Sequence, residues 1–226
     1  MPPTYARIIF ATLLLLTPAV ARDDDDRINR AFDNDTPDRE PPGFVFQTAN
    51  NRPPGKWRIL RDETAVPNNV LAQLDRNKDE QRHALAVLDK PSFENLRLST
   101  RIKLTAGDVE QSAGVFWRYK NSENHYLARL SVTDKNVRLY RVVNGNRIKF
   151  AGEEDVPLVS NRWYTLRVEH RGKRIKVYLD DEMLFDAKDD RFDDKGKVGV
   201  WTQSDTAAHF DDLKAEELTK KDKDKD

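Results

Sequence analysis

Three runs between Ala113 and Arg141 set the rhythm of the chain: Ala-Gly-Val-Phe-Trp-Arg-Tyr (113–119), Tyr-Leu-Ala-Arg-Leu-Ser-Val (126–132) and Val-Arg-Leu-Tyr-Arg (137–141). Each is rich in β-branched and aromatic residues, and each is divided from the next by polar turn residues, the pattern of a β-meander. Successive side chains of a strand point to opposite faces. The bulk of Val115, Trp117 and Tyr119 directs that set to the core and leaves Arg118 on the other face.

The same rhythm continues on both sides. Phe44 and Phe46 alternate with Val45, and Trp57, Ile59 and Leu60 follow the punctuating Pro53-Pro54-Gly55. Val70–Leu74 and Ala84–Leu88 read as a hairpin around the polar Asp75–Arg82, with a helix as the alternative for the first run. Phe93 to Leu104 forms a long strand with a bulge, ending at Ala106-Gly107-Asp108. Asn144-Gly145 is a hairpin turn signal after Val142-Val143, with Arg147–Phe150 as the return strand. Trp163–Glu169, Arg174–Leu179, Met183–Phe185, Lys197–Thr202 and His209–Leu218 complete about a dozen short strands, an estimate from periodicity alone. No persuasive amphipathic helix and no fixed-period repeat interrupts them, so the expected fold is an all-β sandwich of two antiparallel sheets.

Composition narrows the field. The 226 residues carry 39 Lys plus Arg against 39 Asp plus Glu, so no global field recruits nucleic acid. The absence of Cys removes disulfides, thiolate nucleophiles and Cys zinc sites. The chain opens with Arg7, a short apolar run Ile8–Leu16 and Ala19-Val20-Ala21, the form of a secretory signal cleaved after Ala21. That run is too short to span a bilayer, so stable membrane insertion is not expected and the mature chain belongs in the periplasm or outside the cell. The expected organisation is a signal peptide over 1–21, a disordered acidic and Pro-containing linker over 22–42, one sandwich over 43–218 and a disordered charged tail over 219–226. A monomer is expected.

The ordered series Ser-Ala-Gly-Val-Phe-Trp-Arg-Tyr (112–119), Asn-His-Tyr-Leu-Ala-Arg-Leu (124–130), Val-Arg-Leu-Tyr-Arg-Val-Val-Asn-Gly (137–145), Arg-Trp-Tyr-Thr-Leu-Arg-Val-Glu (162–169), Val-Tyr-Leu-Asp (177–180), Gly-Lys-Val-Gly-Val-Trp-Thr (196–202) and Phe-Asp-Asp-Leu (210–213) resembles concanavalin A-like lectin/glucanase domains. Within them it is most similar to the secreted bacterial 3-keto-disaccharide hydrolase-like branch, which is also described as family 16 glycosidase-like or LamG-like. The resemblance implies a jelly-roll sandwich that binds or cleaves glycans on the concave sheet. The Glu-x-Asp-x-Glu strand of family 16 glycosidases, which places two carboxyls on one face for a retaining mechanism, has no counterpart here. Glu153-Glu154-Asp155 has the wrong spacing, and the catalytic apparatus of the keto-disaccharide branch is not matched around Tyr126, Ala128 and Arg129.

The expected function is therefore carbohydrate binding. Arg118, Tyr126 and Arg129 lie on adjoining strands, and guanidinium groups with a phenol suit hydroxyls or a carboxylated sugar; cross-strand packing and ion pairing are the structural alternative. Trp201, with Thr202 and Asp205 in the polar segment after it, offers a stacking platform at the rim of a groove, whereas Trp57 and Trp163 are expected in the core. Asp211 and Asp212, joined by Asp180, Asp189 or Asp205, are candidates for a structural calcium; no cofactor is required. The four histidines, His83, His125, His170 and His209, lack metal-ligand spacing, and there is no Gly-x-Ser-x-Gly elbow or phosphate loop. The alternatives are a glycoside hydrolase using Glu123, Asp180 or Asp205, and a protein-interaction domain marked by an exposed apolar patch.

Overall fold

The computed structural model describes residues 27–49 and 52–219. The expected signal peptide and the tail from residue 220 onward lie outside the described residues.

The strands are β1 (Arg27–Arg30), β2 (Phe44–Thr48), β3 (Trp57–Arg61), β4 (Asn69–Gln73), β5 (His83–Leu88), β6 (Leu96–Ala106), β7 (Ser112–Asn121), β8 (Asn124–Ser131), β9 (Asn136–Val143), β10 (Asn146–Glu153), β11 (Trp163–Arg171), β12 (Arg174–Leu179), β13 (Glu182–Lys188), β14 (Lys197–Gln203) and β15 (Ala207–Glu217). Every registered pair is antiparallel. One sheet has seven strands in the order β10-β9-β8-β7-β14-β5-β2. The other has eight: β13-β12-β11-β6-β15-β4-β3, with β1 also on β15. The Asn144-Gly145 turn is present with both residues at positive φ (49° and 78°), joining Val143 to its partner Asn146.

A single apolar core fills the space between the sheets. Trp57, Ile59, Leu98, Ile102, Val168, Val177 and Phe210 enter it from the eight-stranded sheet, and Ala84, Ala86, Val115, Trp117, Tyr126, Ala128, Leu139 and Val200 from the other. Trp117 stacks on Tyr126 with ring centroids 5.6 Å apart, and its indole N–H donates to His170 Nδ1 at 2.8 Å. Burying one such aromatic side chain contributes about 2–3 kcal/mol.

Three expectations are corrected. First, the stretch from Arg27 to Pro42 is not a free linker. Arg27–Arg30 pairs with β15 from Glu216 to Leu213, Ile28 and Phe32 enter the core, and Asp38 and Arg39 exchange backbone hydrogen bonds with Ile59. The few apolar residues in a polar, Pro-containing stretch suffice because β4 pairs β15 only from Ala208 to Phe210, which leaves the rest of that edge for β1. Second, β4 and β5 do not form a hairpin: they lie in different sheets, and residues 75–82 carry the chain across. Both runs are apolar on each face, so their periodicity cannot say which neighbour they take.

Third, the alternation along β7 breaks at Arg118, which has φ 46° at a register shift against β8. An extra residue at a bulge swaps the faces that follow it. Val115 and Trp117 point into the core, whereas Phe116 and Tyr119 share the opposite face. Gly199 of β14, paired with Phe116, makes room for that ring: a Cβ there would lie 2.4 Å from a Phe116 ring carbon and 2.1 Å from the Ala86 carbonyl oxygen.

Candidate functional site

The residues singled out from the sequence as ligand contacts separate into three groups, and the calcium candidates lie apart from them. Arg118 is 1% exposed. Its guanidinium donates to the carbonyls of Glu94 (3.0 and 2.9 Å), Gly172 (3.3 Å) and Phe192. Tyr126 is a core residue; its hydroxyl donates to Asp189 at 2.6 Å and accepts from the Phe192 N–H at 3.1 Å. Burial, followed by the Asp189 carboxylate, pushes that phenol well above its ordinary range. Both side chains hold the segment 189–193 and the β11–β12 turn against the sandwich.

Asp205 and Thr202 belong to the second group. Thr202 alternates with Trp201 and points inward, fully buried. Asp205 accepts the backbone N–H groups of Asp108 (2.8 Å), Val109 (3.2 Å) and Glu110 (3.0 Å). Burial alone would raise its carboxyl, but these donors, with Arg76 nearby, hold it below the usual carboxylate range. Next to it Thr206 receives Ser112 N–H at 3.0 Å, while its backbone carbonyl takes Gln73 Nε2 at 2.7 Å; Arg82 donates to Ser204 O at 3.1 Å. The β4–β5, β6–β7 and β14–β15 connections all change sheets here. Asp205 therefore ties three crossings together.

Asp211 and Asp212 sit at the β15 bulge on the outer face of the eight-stranded sheet. Asp211 accepts from Arg101 at 3.1 Å and from the Asp212 N–H at 2.7 Å, and Asp212 pairs with Lys214 at 2.9 Å. Burial raises the Asp211 carboxyl to about 6. Asp180 and Asp189 are engaged elsewhere, with Thr165 N–H and Arg141 respectively. Among the described residues, no three His, Cys, Asp or Glu side chains converge as a metal site. The rest of this face is ion-paired in the same manner: Arg97 and Arg167 with Glu169, Arg174 with Asp186, and Lys103 with Asp62, which also hydrogen-bonds His209, an imidazole that burial lowers from its ordinary range. Trp163, expected in the core, lies on this face beneath Arg101 and Lys103 and donates to Thr64 Oγ1 at 2.9 Å.

Arg129 and Trp201 form the third group, and they are brought to one surface: the outer face of the seven-stranded sheet. Leu85 and Val87 of β5, Phe116 and Tyr119 of β7, Leu127 of β8, Tyr140 of β9 and Trp201 of β14 make a second apolar cluster there, separate from the core. His83 lies against Trp201 with ring centroids 5.4 Å apart, and His125 against Phe116 at 5.5 Å. Burial, and for His83 next the charge of Arg147, lowers these imidazoles to about 3 and about 4, so both are neutral donors and acceptors at pH 7. Arg129 donates to Asn136 (3.0 Å), Asp134 (2.9 Å) and the Tyr140 hydroxyl (3.3 Å).

Sequence reasoning missed Arg147. It follows the Asn-Gly turn on β10 opposite Val142, and its guanidinium lies over both Tyr140 (5.0 Å) and Trp201 (5.6 Å). A hydrogen bond to Gln203 Oε1 at 2.7 Å steadies it. Register offered a signal, because in a two-residue hairpin Arg147 falls on the face of Tyr140 and Val142. Trp201, expected as an open stacking platform, is 1% exposed and lies with Tyr140 beneath Arg147; the groups of this face that keep partial exposure are His83, Arg147 and Gln203, which can donate to or accept from the hydroxyls of a sugar. The carboxylates of this face are committed: Asp134 to Arg129, Asp79 to Arg52, and Glu154 to Arg138 and Lys149.

Two antiparallel sheets of seven and eight strands, with a polar and aromatic face on the outside of one, define the concanavalin A-like jelly-roll class. The chain belongs to the 3-keto-alpha-glucoside-1,2-lyase-like domain family, whose model matches residues 45–216. Levanase of Bacillus subtilis (strain 168) is 29% identical over 133 residues, which is 58% of this chain and 19% of levanase; the chain spans less than a fifth of that relative's length. Among solved structures, the carbohydrate binding module CBM66 from Bacillus subtilis superposes with a TM-score of 0.59 at 24% identity, covering 76% of this chain and 94% of the module. The Emp47p carbohydrate recognition domain gives 0.55 at 14% identity over 86% of this chain and 96% of that domain. Both likenesses concern the fold.

Proposed function

We propose that the protein is an extracytoplasmic carbohydrate-binding module that holds a saccharide on the outer face of its seven-stranded sheet without breaking a bond. The observation that carries this reading is the grouping of Trp201, Tyr140, Arg129, Arg147, His83 and Gln203 on one face, where the carboxylates are already paired. The domain names of its structural neighbours, a carbohydrate binding module and a carbohydrate recognition domain, support the same class. The composition of the chain's start, which reads as a cleaved secretion signal, supports a location outside the cytoplasm. Hydrolysis needs an acid and a second carboxylate placed across one glycosidic bond. Of the acids considered for it, Asp205 is buried under backbone N–H groups, while Asp180 and Glu123 stand in separate turns.

A glycan array probed with the protein, with and without calcium, and followed by mass spectrometry of every spot, tests this. Retention of one glycan class with no released sugar is expected. Release of sugar overturns the binding-only reading. Retention that needs calcium would make Asp211 and Asp212 the first residues to substitute.

A further inference from the structure

Charges on the outer face of the seven-stranded sheet do not balance. Each cation around its border has an acid: Arg52 has Asp79, Arg129 has Asp134, Arg138 has Asp134 and Glu154, and Lys149 has Glu154. Arg147 has none. It forms no ion pair among the described residues, and its one side-chain hydrogen bond goes to the neutral Gln203 amide oxygen. The acids whose charge reaches it, Glu110 and Asp134, are held elsewhere: Glu110 by Ser112 Oγ (2.8 Å), Ser131 Oγ (3.2 Å) and the Gln111 N–H (3.1 Å), and Asp134 by Arg129.

A half-buried guanidinium without a counter-charge is costly to keep, and here a second cation stands near it. Arg129 is almost fully buried beside the same Tyr140 ring, 5.8 Å from its centroid, and its Nε–H has no hydrogen-bond partner. Burial, together with the repulsion of Arg129, lowers the Arg147 guanidinium from its ordinary range, yet it stays charged at any physiological pH. The histidines beside them, His83 and His125, are neutral and take no part in offsetting this charge. Of the five N–H donors of Arg147, one is used; the planar fork that remains matches the two oxygens of a carboxylate. The aromatic rings under the guanidinium fix its plane.

We infer that this face selects an acidic saccharide, with Arg147 as the carboxylate anchor: a uronic acid or other carboxylated sugar held at the half-exposed guanidinium above the buried Trp201 and Tyr140 rings. The inference rests on the carbohydrate-binding reading above and specifies its ligand class.

Oligogalacturonide and its fully methyl-esterified counterpart, which differ only in the carboxylate, are the probes, titrated calorimetrically into the protein at low and at physiological ionic strength. The free acid is expected to bind about 10- to 100-fold more tightly than the ester, the span of a charge-assisted bidentate pair. Added salt narrows that ratio. Arg147→Gln keeps the Gln203 contact within reach and is expected to equalise acid and ester while leaving the thermal midpoint within about 2 °C, since the replaced side chain closes no ion pair. Equal binding of acid and ester by the unmodified protein, or retention of neutral glycans alone on the array, overturns the acidic preference and leaves the carbohydrate reading standing. An acid preference that survives Arg147→Gln overturns the role given to that residue. No binding of acid, ester or any arrayed glycan overturns both.

Discussion

Acidification from pH 7 to pH 4.5 is expected to remove most of the stability of this domain. Three imidazoles are buried in neutral form: His83 and His125 on the outer face of the seven-stranded sheet and His170 against Trp117, with values lowered to about 3, about 4 and about 3. Burial is the first cause in each. In the unfolded chain the same groups take up a proton near the ordinary histidine value of 6.5. Between 6.5 and about 4 the unfolded state therefore binds more protons than the fold, and stability falls as pH falls. Between pH 7 and pH 4.5 each imidazole costs about 2.5 kcal/mol. Asp211 works in the opposite sense, since its carboxyl, raised to about 6, is protonated in the fold before it is in the unfolded chain; that returns about 2 kcal/mol. The net loss, roughly 6 kcal/mol, is comparable with the whole stability of a typical domain. Urea midpoints measured from pH 7 to pH 4.5 should fall steeply and continuously. A flat profile would mean that the imidazoles are solvated.

Arg118→Ala is expected to be the most damaging single substitution among the residues that the sequence marks as ligand contacts. It removes the side-chain donor shared by three carbonyls, those of Glu94, Gly172 and Phe192, which come from separate parts of the chain. Leaving these part-buried acceptors without their donor, together with the lost packing of a fully buried side chain, costs about 2–4 kcal/mol, a fall in melting temperature of roughly 10 °C for a chain of this size. Arg118→Lys keeps the charge but cannot reach three acceptors with a planar fork, and should recover only part of the loss. Calorimetry and glycan retention on the same variants separate the roles. A variant that melts normally and loses saccharide would place Arg118 at the ligand after all.

The sandwich, its turn at Asn144-Gly145 and most strand positions are legible in the sequence because they depend on local alternation and turn chemistry. The facing of the site is not. One bulge at Arg118 puts Tyr119 in place of Arg118 on the face of Phe116, and nothing in the run Phe-Trp-Arg-Tyr marks the residue at which the phase changes. β5, β7, β8 and β14 are apolar on both faces, which signals a second hydrophobic surface as well as a core. Arg129 and Trp201 are legible as members of one face; Tyr126, two strands from Trp201, reads the same way but points to the core. Arg147 carries no motif at all. Its importance comes from the missing acid beside it, and ion pairing between distant strands is a property of register that no local pattern contains. Polar composition likewise concealed β1, whose order depends on two apolar side chains, Ile28 and Phe32, reaching a core assembled by the rest of the chain.

The four tryptophans report on three different places: Trp57 and Trp117 in the core, Trp163 on the outer face of the eight-stranded sheet, Trp201 on that of the seven-stranded sheet. Indole N–H resonances followed by NMR during titration with the glycan that the array retains therefore locate the ligand directly. Binding at the seven-stranded sheet shifts Trp201 and leaves Trp163 in place. A shift of Trp163 with Trp201 unmoved would put the saccharide on the opposite sheet and contradict the assignment of the site.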